Sequence, residues 1–299
     1  MAVTAAQVKE LREKTGVGMM ECKKALTENG GDIEKAIMWL RERGLSRAAK
    51  KAGRVTAEGM VAVAVSGDLK AGVALEVNCE TDFVSKNVDF QKLSQELAEF
   101  ALESKISSIA ELNEASMNGT KIADLVTSKI STIGENIQLR RISIVEAPNG
   151  VVSAYSHMGG KIGSLVALDG AAGDDVKALG QDIAMHTAAA APRYLKSEEV
   201  DASELEAEKE LARKKLQEEG KPADLIEKIL LGQMNKFYKE ICLLDQVFVK
   251  DSNYSISKLV KEKGQGASLT AYCRFQLGEG IEKKQEDFAA EVAAAAKQS

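Results

Sequence analysis

The sequence has little of what metal sites, disulfide frameworks and common hydrolytic centres require. Its 299 residues include two histidines and four cysteines, and no two of the cysteines have a CxxC spacing. Scattered cysteines predict neither a zinc site nor a disulfide framework, and they fit a reduced, cytoplasmic compartment. No HExxH, GxSxG or GxxxxGK[ST] motif is present. We therefore expect no catalytic residue, no metal and no cofactor.

Long apolar runs and an excess of positive charge are missing as well. No run approaches the roughly 20 apolar residues that span a bilayer, and the start Met1-Ala2-Val3-Thr4 lacks a signal-peptide pattern, so we expect no membrane association. The formal net charge of −5 is unlike that of a general nucleic-acid-binding protein, which is more often basic. A hydrophobic content of 44% and a charged content of 28% are ordinary for a soluble globular protein of more than one module.

The order of helix and strand patterns predicts an α+β protein with a two-part core of antiparallel sheets. The predicted units are a small three-helix bundle, two core units, a helical hairpin inserted into the second core unit, and a C-terminal helical module. Their bounds are 1–54, 55–141, 142–280, about 198–233, and 281–299 respectively. Thr4 and Gln7 form a capping box before the first helix, and Ser203 with Glu206 is predicted to do the same for the hairpin.

The stretch where a predicted core strand leads into the next predicted helix is the most informative in the chain. Alternating apolar residues predict a strand over Val73–Cys79, and Thr81-Asp82 are good N-cap residues for a helix predicted from about Phe83 to Glu103. Aromatic residues make up 4% of the chain, so an aromatic side chain at this polar corner needs a reason. It either folds into the core or points at a partner.

Two long stretches resemble the signatures of one protein family. EVNCETDFVSK at residues 76–86 and LREKTGVGMMECKKAL at residues 11–26 are similar to the two signatures of bacterial elongation factor Ts. Members of that family exchange guanine nucleotide on the GTPase elongation factor Tu. The resemblance implies a ubiquitin-associated-like N-terminal bundle, elongation factor Tu as partner, and no direct nucleotide binding by this chain.

The resemblance also assigns partner-binding residues. It implies that Asp82 and Phe83 reach into the GTPase beside its switch region and disturb the bound magnesium. Further contacts are implied beside this pair, in the N-terminal bundle, in the loop after residue 130 and in a glycine-rich turn: Thr81, Val84, Leu11, Arg12, Val17, Gly18, Met19, Met20, Ile133, Gly134 and His157. The final helix, predicted at Lys284–Lys297 with Phe288 and Val292 on one face, is implied to reach the GTPase too.

Other interpretations remain open at this point. The basic stretch 41–54 could bind RNA in translation, although a solvated linker helix is the commoner structure for such a run. A small enzyme could use His157 or Cys79, but neither has a visible partner in the sequence. The glycine-rich turn at 157–163 has no helix after it and is weak evidence for phosphate binding. The predicted hairpin offers a surface for a homodimer.

Overall fold

The computed structural model describes residues 3–282, so the predicted final helix and its Phe288 and Val292 lie outside the described residues. The N-terminal bundle consists of α1 (Ala5–Thr15), α2 (Met19–Glu28) and α3 (Ile33–Lys51). Thr4 caps α1 as predicted: its side chain accepts a hydrogen bond from the Gln7 backbone, and the Gln7 side chain returns one. The last helix is not short, because the basic stretch continues it without a break to Lys51.

The first core unit is a three-stranded antiparallel sheet covered by helices. β1 (Glu58–Val65) and β5 (Ile137–Glu146) flank the central β2 (Ala71–Cys79). The apolar side chains of β2 pack under the long helix that follows it, in which Phe90 and Leu97 are fully buried. The remaining elements of this unit are α4 (Asp82–Ser85), α5 (Val88–Glu103), α6 (Ile109–Glu114), β3 (Ser116–Met117), β4 (Thr120–Lys121) and α7 (Ile122–Ile133).

The prediction of one continuous helix from about Phe83 to Glu103 is wrong. The chain forms one helical turn, α4, and then restarts as α5. The Asn87 side chain caps α5 by accepting hydrogen bonds from the backbone N–H groups of Asp89 and Phe90. Asparagine is a strong N-cap because its short side chain satisfies the free amides of a first turn. The break leaves α4 as a separate turn at the edge of the sheet.

The second core unit is also a three-stranded antiparallel sheet, in the order β6 (Val151–His157), β7 (Ile162–Asp169) and β8 (Ser268–Gln276). Its helices are α8 (Asp174–Ala190) and α11 (Ile256–Lys263). The predicted boundary between residues 141 and 142 lies inside β5, whose residues 142–146 pair with β2. The change of unit instead comes after β5, at Ala147-Pro148-Asn149-Gly150.

The two sheets pack against each other through a layer of small apolar side chains. Val61 and Ala74 of the first sheet share one buried cluster with Val152, Leu165 and Ala167 of the second. The approach is close, since the backbone N–H of Val61 donates to the carbonyl of Gly160 at 2.8 Å. The turn between β6 and β7 therefore lies against the first strand of the other sheet.

The insertion is an antiparallel helical hairpin, α9 (Ala202–Glu218) and α10 (Ala223–Ile241). The predicted cap at Ser203 is wrong: Asp201 is the N-cap, and its carboxylate accepts from the Ser203 backbone. A carboxylate is as good a cap as a hydroxyl and also favours the positive end of the helix dipole. α10 runs beyond the predicted end at 233, because its inner half packs on the base of the hairpin around Ile241 and Cys242.

Candidate partner-binding site

Phe83 lies on the surface, at the corner where β2 leads into the helices. Its side chain is 81% exposed, while the following Val84 packs against the first core and Ser85 is buried. Thr81 caps this turn by accepting from the backbone N–H of Val84. A helical turn places successive side chains about 100° apart, so turning Val84 inward turns Phe83 outward. Phe83 is thus a large aromatic side chain held outside the core.

Two carboxylates tie this corner to the loop that follows α7. Glu135 accepts from the Thr81 hydroxyl at 2.6 Å and from the Thr81 backbone N–H at 3.0 Å. In return, Glu80 accepts from the backbone N–H of Asn136 at 2.6 Å. Hydrogen bonds to ionised acceptors are roughly twice as strong as neutral ones. The reciprocal arrangement fixes the position from which Phe83 projects.

The same arrangement brings the predicted residues Ile133 and Gly134 next to the Phe83 corner. Gly134 ends α7 in the left-handed conformation, at a φ of 89°, and its carbonyl accepts from the Lys51 ammonium of α3. Ile133 is half-buried and packs against the first core, so it presents only part of its side chain. The loop that begins at Gly134 therefore connects α3, α7 and the Phe83 corner.

Charged groups around Asp82 connect the corner to the second sheet. The Lys86 ammonium donates to the Asp82 carboxylate at 2.6 Å, and this hydrogen bond lowers the pKa of Asp82 below its ordinary value. Lys161, in the turn between β6 and β7, contributes to the same lowering and forms an ion pair with Glu58 at 2.9 Å. Asp82 is thus ionised at neutral pH and lies near the glycine-rich turn.

His157 lies at the start of that turn, on the surface. Its ring stacks on Tyr155 with 5.9 Å between centroids, and the Tyr155 hydroxyl lies 3.0 Å from His157 Nδ1. The next residue, Met158, is 74% exposed and has a φ of 50°, which is unusual for a residue other than glycine. A strand, β7, follows the turn in place of a helix, so this turn has no helix N-terminus to hold a phosphate.

The N-terminal bundle presents a second apolar surface. Met19 and Met20 open α2, and their side chains are 56% and 76% exposed. The turn before them is supported from below, because the buried Cys22 thiol donates to the carbonyl of Val17 at 3.3 Å. Val17 is half-buried, and the other predicted contacts here, Arg12 and Gly18, are exposed.

Leu11 is the exception among the predicted contact residues. Its side chain is fully buried in the bundle core with Cys22 and Leu26, and a direct contact with a partner would require the bundle to open. The prediction of a direct contact at Leu11 is therefore wrong. The apolar periodicity of α1 dictates this burial, since Val8 and Leu11 lie three residues apart on one face.

The basic helix end favours the linker interpretation over RNA binding. Arg47 pairs with Glu21 at 2.9 Å, Arg54 pairs with Glu80 at 3.3 Å, and Lys51 donates to the carbonyl of Gly134. Arg54 and Lys51 thereby join the bundle to the first core, while Arg47 links α3 to α2 within the bundle. They are not free to neutralise phosphates along a nucleic-acid backbone.

Cys79, which the enzyme interpretation would use, is buried in the first core. Burial raises the pKa of the Cys79 thiol to about 12, so the nucleophilic thiolate is scarce at neutral pH. The described residues contain no group of three or more His, Cys, Asp or Glu that could hold a metal ion.

Among residues 3–282, none of the helices has the length and apolar character needed to span a membrane.

Sequence reasoning missed the residues that hold the surface in place and some that extend it. Glu80 lies inside the second motif and Glu135 in the loop after residue 130. Glu80 pairs with Asn136 and Glu135 with Thr81, and each pairing joins positions more than 50 residues apart, which spacing does not reveal. Val88 and Met158 are about three-quarters exposed and adjoin the predicted contacts. The sequence does contain a signal for each. Val88 is an apolar residue next to a break in the helical pattern, and Met158 is an apolar residue in a glycine-rich turn.

Comparison with known proteins places this geometry in a family. The sequence model of a family described as "Elongation factor TS" matches residues 80–279. An elongation factor Ts of Magnetococcus marinus is 49% identical over 300 residues, covering 98% of both chains. Another, of Syntrophotalea carbinolica, is 49% identical over 305 residues, covering 99% of this chain and 100% of the relative. One of Clostridium perfringens strain SM101 is 47% identical over 297 residues, covering 97% and 98%.

These relatives match nearly the whole chain, and all three are elongation factors by name. The chain belongs to the elongation factor Ts family.

Proposed function

We propose that this chain promotes release of GDP from elongation factor Tu during translation elongation, in the cytoplasm. The observation that supports the proposal most directly is Phe83, an aromatic side chain that is 81% exposed on a turn fixed by hydrogen bonds. Exposed aromatic residues on a preorganised backbone are typical anchors of protein interfaces. Membership of the elongation factor Ts family supports elongation factor Tu as the partner.

The mechanism is displacement by binding, without covalent chemistry. Phe83 enters the GTPase beside its switch region, and the ionised Asp82 next to it repels phosphate or takes over a local hydrogen bond. Magnesium bridges the nucleotide phosphates and holds the switch loops, so disturbing its surroundings weakens the hold on GDP. The hydrogen bond from Lys86 lowers the pKa of Asp82, which is ionised at neutral pH with or without it.

One side chain is too small to drive the exchange alone. Burying a phenylalanine contributes about 1.5–3 kcal/mol, or about one to two decades in an equilibrium constant. Moving a two-state equilibrium from almost entirely one state to almost entirely the other, here from GDP-bound to GDP-free elongation factor Tu, requires about 5.5 kcal/mol of differential affinity. Other residues at the bundle and at the glycine-rich turn supply the difference, and all but the half-buried Val17 are exposed: Arg12, Val17, Gly18, Met19, Met20, His157 and Met158.

The test is release of a fluorescent GDP analogue from elongation factor Tu into excess unlabelled GDP. The full chain is compared with Phe83→Ala and with Val249→Ala, a control that removes another exposed apolar side chain from the second core unit. We expect rapid release with wild type and with the control. We expect Phe83→Ala to be slower by about 10- to 100-fold, the value of one buried phenylalanine.

Failure of the wild-type chain to accelerate release would refute the function. Acceleration that Phe83→Ala leaves untouched would keep the function but remove Phe83 from the mechanism. Binding of RNA with a steep salt dependence, lost when Arg41 and Arg43 are neutralised, would instead support the alternative of an RNA-binding translation protein.

The homodimer through the helical hairpin stays a prediction. The hairpin leaves Leu211 and Leu231 exposed on its outer surface, which is compatible with contact to a second copy. Sedimentation of wild type and of a Leu211→Glu, Leu231→Glu double variant would test it. A dimer lost in the variant supports the prediction, and a monomeric wild type at micromolar concentration contradicts it.

A further inference from the structure

Four methionine side chains lie on the surface of this protein. Met20 and Met158 are 76% and 74% exposed, and Met38 and Met19 are 63% and 56% exposed. The other methionines among residues 3–282 are half-buried or buried: Met60, Met117, Met185 and Met234. Methionine is ordinarily a core residue, because its flexible thioether fills irregular gaps. The exposed thioethers therefore need a reason, and their chemistry has a consequence.

Three of the four exposed methionines belong to the proposed contact surfaces. Met19 and Met20 open α2 in the N-terminal bundle, and Met158 lies in the turn between β6 and β7. Met38 differs from them, since it lies on α3 of the same bundle at a position for which no contact is proposed. Its exposure falls between those of Met19 and Met20. Access of a reagent to the sulfur and contact with the partner can therefore be separated by experiment.

The cysteine thiols, the other oxidisable sulfur atoms of the chain, are shielded. All four are buried. Burial raises the pKa of Cys79 to about 12 and the pKa values of Cys242 and Cys273 to about 11, and it also raises the pKa of Cys22. The thiolate is the form that reacts with peroxide, and little of it is present at neutral pH. A thioether has no proton to lose, so its oxidation depends mainly on access to the sulfur.

The reaction of a thioether with hydrogen peroxide transfers one oxygen atom. The sulfur lone pair attacks one peroxide oxygen, the O–O bond breaks as the S–O bond forms, and the departing hydroxide takes up the proton of the transferred oxygen to give water. The sulfur is oxidised by two electrons to the sulfoxide, and the peroxide is reduced to water. The sulfoxide is polar, and methionine sulfoxide reductases, one for each epimer, return it to the thioether.

We propose that Met19, Met20 and Met158 are modification sites, at which oxidation by peroxide reversibly weakens binding of elongation factor Tu. The proposal rests on the proposed function, which places these side chains against the partner. A contact that buries a thioether buries, after oxidation, an oxygen atom that has lost its water. A buried polar group without a hydrogen-bond partner disfavours the complex. Phe83 is not altered by this reaction, so the oxidised protein keeps its corner and loses contacts around it.

The first measurement follows oxidation of the free full chain by dilute hydrogen peroxide at neutral pH, with peptide mass spectrometry at successive times. Fragmentation of the peptide distinguishes Met19 from Met20. We expect sulfoxide to form at the exposed methionines at least about tenfold faster than at the buried Met234, with the cysteines unmodified over the same time. Equal rates at exposed and buried methionines, or cysteines that react first, would show that the sites are not selective and would overturn the proposal.

The second measurement repeats the oxidation in the complex with nucleotide-free elongation factor Tu. Contact with the partner should slow oxidation of Met19, Met20 and Met158 by about tenfold or more, because the partner covers the sulfur atoms. Met38, with similar exposure in the free chain, should keep its rate. Loss of protection at all three sites, or equal protection of Met38, would contradict the assignment of these residues.

The third measurement is release of the fluorescent GDP analogue by the chain oxidised and then freed of peroxide before elongation factor Tu is added. We expect the half-saturating concentration to rise by about tenfold or more, and the two reductases to restore it. A Met19→Leu, Met20→Leu, Met158→Leu triple variant has side chains of similar volume that peroxide does not oxidise. It is compared with itself before and after peroxide, and its half-saturating concentration should not respond. Met38→Leu should respond as wild type does.

The outcomes separate the modification from the proposed function. A response to peroxide that persists in the triple variant would overturn the proposal, as would unchanged kinetics of fully oxidised wild type. If the unoxidised wild type does not release GDP, the proposed function fails. Direct binding of elongation factor Tu by the oxidised and the unoxidised chain then decides the modification. Weaker binding by the oxidised chain supports it, and equal binding or no binding by either contradicts it.

Discussion

Glu135 offers the sharpest test of how the Phe83 corner is held. Glu135→Ala removes both hydrogen bonds to Thr81, at 2.6 and 3.0 Å, without touching any exposed apolar residue. A hydrogen bond to a charged acceptor contributes about 1.5–3 kcal/mol, but both partners are half-buried and water replaces part of the loss. We estimate a net loss of about 2 kcal/mol for the pair, which makes opening of the corner about 30-fold more frequent.

The assays are hydrogen exchange at the Thr81 and Val84 amides and release of the fluorescent GDP analogue. We expect exchange at these amides to rise by about 30-fold. Release should slow severalfold below saturation, because Phe83 is correctly presented for a smaller fraction of time. Glu135→Gln should give an intermediate effect, and Glu96→Ala, which removes an exposed carboxylate of α5, none. Wild-type exchange and wild-type release in Glu135→Ala would refute the reasoning.

Further predictions concern the bundle and two buried groups. Leu11→Ala should destabilise the N-terminal bundle by about 2–5 kcal/mol in denaturant unfolding because it leaves a cavity, whereas Met20→Ala should change stability by about 0.5 kcal/mol or less and still slow GDP release. His186 is buried and its pKa is lowered by burial, so the stability linked to it is complete above its ordinary pKa of 6.5 and is lost as the pH falls through the lowered value. Unfolding measured between pH 7 and 5 should show this loss, and His186→Gln should flatten it. Cys79, with a pKa of about 12, should resist iodoacetamide at pH 7 in the folded protein and react after unfolding, as mass spectrometry would show.

Much of the fold could be predicted from local patterns. The strand β2 was visible in the alternation of Val73, Leu75 and Val77, and the capping box at Thr4 and Gln7 marked the first helix correctly. These signals are local, since a strand or a cap depends on residues a few positions apart. The two sheets and the hairpin followed from such patterns in sequence order.

The errors came where two local signals competed. At residues 83–103 the apolar periodicity continued across Asn87, whose capping side chain nevertheless starts a new helix. At the base of the hairpin, Asp201 and Ser203 are both good caps, and the carboxylate is the one used. The predicted boundary between the two core units lies inside β5, because the sequence of that strand does not indicate which sheet it joins.

The candidate site was predictable only through motif resemblance. An exposed Phe83 and a core Phe83 have the same local sequence, and the choice depends on α4 being a separate turn. The pairings of Glu135 with Thr81 and of Glu76 with Gly278 span 54 and 202 residues. Pairings at such separations are set by the packing of the two sheets, which periodicity does not encode.

The most direct test of the exchange function is the affinity of elongation factor Tu for GDP, measured with and without a saturating amount of this protein. Binding linkage requires that the protein weaken GDP binding by the same factor by which GDP weakens binding of the protein. We predict that both factors are large and equal. An unchanged affinity for GDP in the presence of bound protein would contradict the proposed function.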